Sequence, residues 1–139
     1  IVKKINGKKL NLKKNYKIYV EAYKLVDGKQ VIFGRTITAH IVGRQNTGYT
    51  NVKDIKLKKT SLPLKKGKTA TIQAEAVLVD KSKKQLTDAH AKEFRYATSN
   101  KKVATVSSEG KIKAVGKGTC TIYVYAREGY AKKVKVTVK

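Results

Sequence analysis

Methionine and tryptophan are absent from this sequence of 139 residues, cysteine and proline occur once each, and nine acidic residues stand against 33 Lys and Arg. Each scarcity excludes something. A lone Cys120 allows no intramolecular disulfide and no cysteine-based metal cluster, so cysteine usage fixes no redox compartment. No apolar run approaches the roughly 20 residues that cross a bilayer, so no membrane-spanning helix is expected. The absence of Met even at position 1 predicts a piece of a longer polypeptide. Ile1-Val2-Lys3-Lys4 does not open a signal peptide, and any export or anchoring signal is expected elsewhere. Length and 40% apolar residues suit one domain or two small ones and argue against a large single-core enzyme.

What is abundant is positive charge: a formal +24, divided as +9 over residues 1–50 and +15 over residues 51–139, so neither half is a basic tail. Only Arg35, Arg44, Arg95 and Arg127 are arginines, and the remaining 29 cations are lysines, hydrated point charges poorly suited to bidentate reading of bases or phosphates. No specific nucleic-acid partner is expected. Lysines alternate with apolar residues in Lys111-Ile112-Lys113-Ala114 and Lys133-Val134-Lys135-Val136, the pattern of strands with one solvated face. Lysine there also discourages edge-to-edge aggregation.

Period-two alternation recurs in Tyr16-Ile18-Val20-Ala22, Ile37-Ala39-Ile41, Ile72-Ala74-Ala76, Cys120-Ile122-Val124-Ala126 and Val134-Val136-Val138, which predicts an all-β chain. Turn signals at Asn6-Gly7, Asp27-Gly28, Lys66-Gly67, Glu109-Gly110, Gly116-Lys117-Gly118 and Glu128-Gly129 space the runs as in a sandwich of short antiparallel strands. Asp27-Gly28 is the clearest hairpin, because a type I′ turn needs φ > 0 at both central residues. Pro63 restricts its strand to an edge or kink. From Asp80 to Phe94 the spacing of Leu86, Ala89, His90 and Phe94 is closer to helical, with Thr87-Asp88 as N-cap, and predicts a short helical turn between two strands. The polar run Gly43 to Asn51 predicts a linker.

Two stretches carry family resemblances. Tyr96, Ser99-Asn100, Val103-Ala104 with Val106, Gly110 with Ile112 and Ala114, Gly118, Ile122 with Val124, and Val134-Val136-Val138 together resemble the bacterial immunoglobulin-like domain of group 2, with Tyr96 at the usual Trp position. Val52 to Gly67 is similar to that family's opening strand and turn, so the likeness spans residues 52–139. The charged insertion Asp80 to Glu93 departs from the pattern. Leu10 with Tyr16, Ile18, Val20 and Ala22 resembles the tyrosine corner of a fibronectin type III domain, whose Tyr hydroxyl bonds back to the preceding turn. The expected organisation is a partial fibronectin type III-like β segment over 1–45, a linker over 46–51, and an immunoglobulin-like antiparallel β-sandwich over 52–139. Because half such a sandwich leaves Ile18, Val20 and Ala22 uncovered, residues 1–45 are expected to self-associate or to pack on their neighbour.

No catalytic or cofactor constellation emerges. His40 and His90 are the only bases of suitable pKa for nucleophilic chemistry, and they read as a strand residue and a loop residue packing near Phe94. Cys120 alternates in phase with Ile122 and Val124 and reads as a small core residue. Asp80, Asp88 and Glu93 lie in one loop within reach of a calcium ion but among lysines 81, 83, 84 and 92, and read as solvated or ion-paired. Tyr16, Tyr96 and one of Tyr123 and Tyr125 are expected to be explained by the fold. Tyr19 and Tyr23 share a face beside lysines, where cross-strand packing competes with glycan stacking. The resemblance implies a non-enzymatic structural or cell-adhesion module of an extracellular bacterial surface or secreted protein, with neighbouring domains as partners. The alternatives are a binding module for acidic or cell-wall carbohydrate and an accessory domain of a larger secreted hydrolase. Neither a metal nor a cofactor is expected.

Overall fold

A computed structural model describes residues 4–5 and 7–139. Asn6 of the expected Asn6-Gly7 turn, and Ile1 to Lys3, lie outside the described residues. Among the described residues every regular element is a strand: β1 Lys4–Ile5, β2 Lys8–Lys9, β3 Asn15–Ile18, β4 Glu21–Val26, β5 Lys29–Arg35, β6 Ala39–Val42, β7 Val52–Leu57, β8 Ser61–Leu64, β9 Thr69–Thr71, β10 Ala74–Leu78, β11 Phe94–Thr98, β12 Ala104–Val106, β13 Lys111–Ala114, β14 Gly118–Ala126 and β15 Ala131–Val138.

From Val52 onward the strands form an immunoglobulin-like β-sandwich. One sheet has the order β11-β14-β15-β8; facing it are β12-β13-β9 and the pair β10-β7. Alternation in the sequence becomes alternation of faces. Cys120, Ile122, Val124 and Ala126 of β14 and Val134, Val136 and Val138 of β15 point inward and are buried, as are Ile55, Ile72, Ile112 and Ala114 of the facing side. Each fully buried Val or Ile contributes roughly 1.5–3 kcal/mol of transfer free energy. The lysines between them point to water, which is where the positive charge of this half goes.

Pro63 occupies the position its chemistry permits. The opening segment leaves one sheet after β7 and re-enters the other as β8, an edge strand, where the missing N–H of proline interrupts no interior ladder. At the turn before β13, Gly110 has φ 78°, and a Cβ there would lie 2.8 Å from Cζ of Tyr96. The turn requires glycine for its backbone and for the tyrosine ring packed over it.

Residues 4–42 form three separate two-stranded antiparallel pairs: β1-β2, β3-β6 and β4-β5. Asp27 and Gly28 have φ 50° and 73°, the conformation the Asp-Gly hairpin predicted. Tyr16 ties its strand to the preceding turn: its hydroxyl accepts from Asn11 N–H at 2.8 Å and donates to Asn11 C=O at 3.1 Å. The β4-β5 ribbon carries its apolar residues into solvent, with Phe33 70% and Leu25 67% exposed.

Two expectations change. The helical spacing of Leu86 to Phe94 yields a single turn, closed by His90 N–H to Thr87 C=O at 3.0 Å, because Phe94 is already the first residue of β11. The polar run 43–51 is a folded connection. The Asn46 side chain accepts from the N–H groups of Gly48 and Tyr49 and donates to Lys13 C=O, and Tyr49 bridges to Lys84. Asparagine's local bonds fix such a segment without any ladder.

Candidate functional site

Two features beyond the core bring chemistry together: a junction between β6 and one end of the sandwich, and the outer face of the β14-β15 sheet.

The junction is built on two arginines. Arg127, 6% exposed, donates from Nε to Ala91 C=O at 2.6 Å, from Nη1 to Gln85 Oε1 at 3.1 Å, and from Nη2 to Asp88 Oδ1. Arg95 donates to Thr38 C=O at 2.6 Å and to the carbonyls of Ala126 and Arg127 at 3.1 and 3.0 Å. The planar guanidinium serves several carbonyls at once, which a lysine at either position would not do. His40 N–H reaches Arg127 C=O at 2.8 Å, and the Asn51 side chain both accepts from and donates to the Val42 backbone at 2.8 and 2.7 Å. Lys83 Nζ donates to Asn46 C=O at 2.8 Å. The insertion Asp80 to Glu93 therefore wraps Arg127, buries Leu86, and pins the connecting segment.

Burial sets the electrostatics of this junction. The Glu128 carboxyl is raised above its ordinary value because burial outweighs its backbone hydrogen bonds and the nearby Arg127 and Arg95. Its Oε1 and the Nε of Arg95 are buried without partners. Arg95 is lowered mainly by burial. His40 is lowered by burial and by Arg95, Lys17, His90 and Arg127, so this strand histidine holds its neutral form beside two guanidiniums.

The other residues singled out from sequence do not converge. His90 sits in the Thr87 turn, its Nδ1 3.4 Å from Thr87 Oγ1. Cys120 is buried in the sandwich, with Thr98 Oγ1 donating to its sulfur at 3.9 Å. Asp80 caps Ser82 and pairs with Lys83, Asp88 pairs with Arg127, and Glu93 accepts from Gln85 Nε2 at 2.8 Å. Asp80 is held by Ser82 and Lys83, while the partners of Asp88 and Glu93, Arg127 and Gln85, are bonded to each other. The sequence reading missed Arg127; a lone arginine ending an apolar strand, rather than one of 29 lysines, was the available signal.

On the outer sheet face, Tyr123 and Tyr125 project away from the core that Ile122, Val124 and Ala126 fill. Both lie out of phase with inward-facing Cys120, which assigns them to the outside. Their rings stack with centroids 6.0 Å apart and planes at 26°. Lys133 stands opposite Tyr123 in register with Nζ 5.9 Å from its ring, and Lys135 stands opposite Thr121. No acidic residue occupies an outward position of β14, β15 or β8. Tyr19, by contrast, is covered by the Arg35 guanidinium at 4.5 Å, and Arg35 is itself paired to Glu21.

Residues 51–138 match the family described as bacterial Ig-like domain (group 2). Among solved structures, the chain is similar to domains 4 and 5 of the S-layer protein SbsC, at 20% identity and a TM-score of 0.51 over 73% of this chain and 57% of that one. It is similar also to a longer SbsC structure, at 20% identity and a TM-score of 0.52 over 74% and 14% of the two chains. A structure of an intimin mutant from EHEC O157:H7 aligns at 12% identity and a TM-score of 0.46 over 61% and 46%. The chain thus spans less than two thirds of each of these solved chains, and the SbsC likeness is one of fold. No curated protein matches the sequence. With the match extending over most of its length, the chain belongs to the bacterial Ig-like domain (group 2) family.

Proposed function

We propose that this chain is a non-catalytic, load-bearing module of a bacterial cell-surface or secreted protein, with residues 1–45 and 52–139 as successive units joined through 46–51. The observation that carries this reading is the pairing of β8 with β15, the one parallel pairing of named strands among the described residues. In register, Lys135 to Val138 run beside Ser61 to Leu64, and flanking bonds join Lys135 N–H to Thr60 C=O and Lys139 N–H to Leu64 C=O. Because β8, in the segment that opens the sandwich after β7, runs parallel to the closing strand β15, tension applied along the chain shears this ladder as a set instead of unzipping it bond by bond. The junction of Arg95, Arg127 and Asn51 would pass tension from the first unit to the second. The fold likeness to the S-layer protein SbsC supports a surface setting.

Force spectroscopy on the full chain pulled from its ends tests this. A single cooperative rupture is expected for residues 52–139, and Lys135→Pro, which removes the N–H bonded to Thr60, should lower its force by about half, since forced unfolding follows the barrier rather than ΔG. Rupture at low force in many small steps would remove the load-bearing reading.

A second reading rests on the outer face. Stacked Tyr123 and Tyr125, with Lys133 and Lys135 and no carboxylate, suit an acidic or cell-wall carbohydrate: sugar C–H faces against the rings and anionic groups on the ammonium ions. Titration calorimetry with a polyuronate should give binding that Tyr123→Ala weakens about tenfold, on the scale of one lost aromatic contact. Equal binding by that variant would exclude this face.

A further inference from the structure

The two outer faces of the sandwich carry different chemistry. One bears the stacked Tyr123 and Tyr125. The other, the outward side of β9, β12 and β13, bears only lysine and threonine. Alternation buries Ile112 and Ala114 of β13 and turns Lys111 and Lys113 outward, where both are exposed. The ladder sets threonine beside each of them: Thr105 and Thr69 flank Lys113, and Thr71 stands opposite Lys111. Loop backbones add cations at one rim of this face. Ala114 N–H bonds to Lys68 C=O at 2.9 Å and Val115 N–H to Val103 C=O at 2.8 Å, which gathers the segments that carry exposed Lys68, Lys102 and Lys117.

What the face lacks selects its partner. None of β9, β12 and β13 contains an acidic or an aromatic residue, and no ion pair among the described residues includes any of these five lysines. Glu109, in the turn between β12 and β13, is held by Ser108 and Lys92. Ammonium ions hold phosphate as point charges, and threonine hydroxyls donate to phosphate oxygens. With no ring to stack on, neither sugar faces nor bases find a platform. With no apolar side chain among the outward residues of the three strands, nothing on this face enters a bilayer. Lys111 and Lys113 stand about 6.8 Å apart along β13, and consecutive phosphates joined by an extended glycerol have a similar separation.

We propose that this Lys-Thr face binds a flexible, ring-free phosphodiester polymer of the poly(glycerol phosphate) class, with successive phosphates on Lys111 and Lys113 and the rim lysines extending the track. The proposal is independent of the load-bearing reading and uses the face opposite the one that suits carbohydrate. Because counterions leave the polymer on binding, affinity should fall about twentyfold between 0.05 and 0.15 M salt if about four phosphates are neutralised.

Titration calorimetry of the full chain with poly(glycerol phosphate) at both salts reads this directly. Lys111→Gln combined with Lys113→Gln should weaken binding about tenfold at 0.05 M and flatten its salt dependence, whereas Lys111→Arg with Lys113→Arg should keep both. Lys133→Gln with Lys135→Gln removes the same charge from the opposite face and should cost less than about threefold, the share of the long-range field alone. All four lysines are exposed, and circular dichroism checks that each variant keeps its strands. Equal losses in the two glutamine variants would reduce the binding to the field of the whole chain and overturn the proposal. No binding by the wild type at 0.05 M would overturn it too, as would tighter binding of an oligothymidylate of equal charge or capture by phosphatidylglycerol vesicles alone. The carbohydrate reading stands or falls separately, on the response of polyuronate binding to Tyr123→Ala.

Discussion

Residues 52–139 and residues 4–42 are built from the same kind of strand, alternately apolar and cationic, yet only the first set closes. In the sandwich every inward row meets a facing row, so Ile122, Val124, Val134 and Val136 have no accessible surface. In the earlier segment the strands occur as isolated pairs, and side chains of equal hydrophobicity stay in water: Val20 is 66% and Ile32 52% exposed. Alternation specifies a face; burial needs a second face opposite it. The junction lies between these two situations and is held by hydrogen bonds of arginine and asparagine rather than by an apolar core.

Paired substitutions break the comparison most sharply. Ile122→Ala, at the centre of the closed core, should cost about 2–5 kcal/mol of unfolding free energy by denaturant titration, whereas Ile32→Ala in dilute low-salt solution should cost less than about 0.5 kcal/mol. Gly110→Ala comes next, at about 1–3 kcal/mol, because a non-glycine residue at φ 78° is strained and its Cβ would strike the Tyr96 ring. Tyr16→Phe should remove about 0.5–1.5 kcal/mol from the β3-β6 pair alone, visible as faster amide exchange at Asn11 with the sandwich amides unchanged.

The smallest effect is with pH. The folded-state pKa of His40 lies below its unfolded value near 6.5, so the stabilisation is complete above 6.5 and is lost as pH falls through the lower folded value. Protonation there adds a cation beside Arg95 and Arg127, so amide protection at the junction, taken relative to intrinsic exchange rates, should fall below pH 6.5, a loss that His40→Gln abolishes. Glu128 acts in the opposite sense: its raised pKa means that stability falls as pH rises from 4.5 through the folded value. Glu109, lowered to about 2 by Ser108, Ser107 and Lys92, contributes at the surface of the sandwich only, and its share is lost as pH falls from 4.5 towards 2.

Much of this difference was legible in the residues. Alternation located the buried rows of β14 and β15, Asp27-Gly28 located the hairpin, and Pro63 marked the segment that changes sheet, because each is a local rule with a geometric consequence. What local rules cannot supply is the partner of a residue distant in sequence. Arg127 and Arg95 read as two of 33 surface cations until the Asp80 to Glu93 insertion and Thr38 meet them. Helical spacing over Leu86 to Phe94 misled for the same reason: the spacing arises because Leu86 packs at the junction while Phe94 already faces the core. The outward place of Tyr123 and Tyr125 was legible too, since both lie out of phase with Cys120.

The central claim, that one region is closed and the other open, is tested most directly by hydrogen exchange across the whole chain in dilute low-salt solution. Amides of β14 and β15 should exchange only through global unfolding, while those on the free edges of β4 and β5 exchange faster by several orders of magnitude. Equal protection of the ribbon and the sandwich core under those conditions would contradict the account.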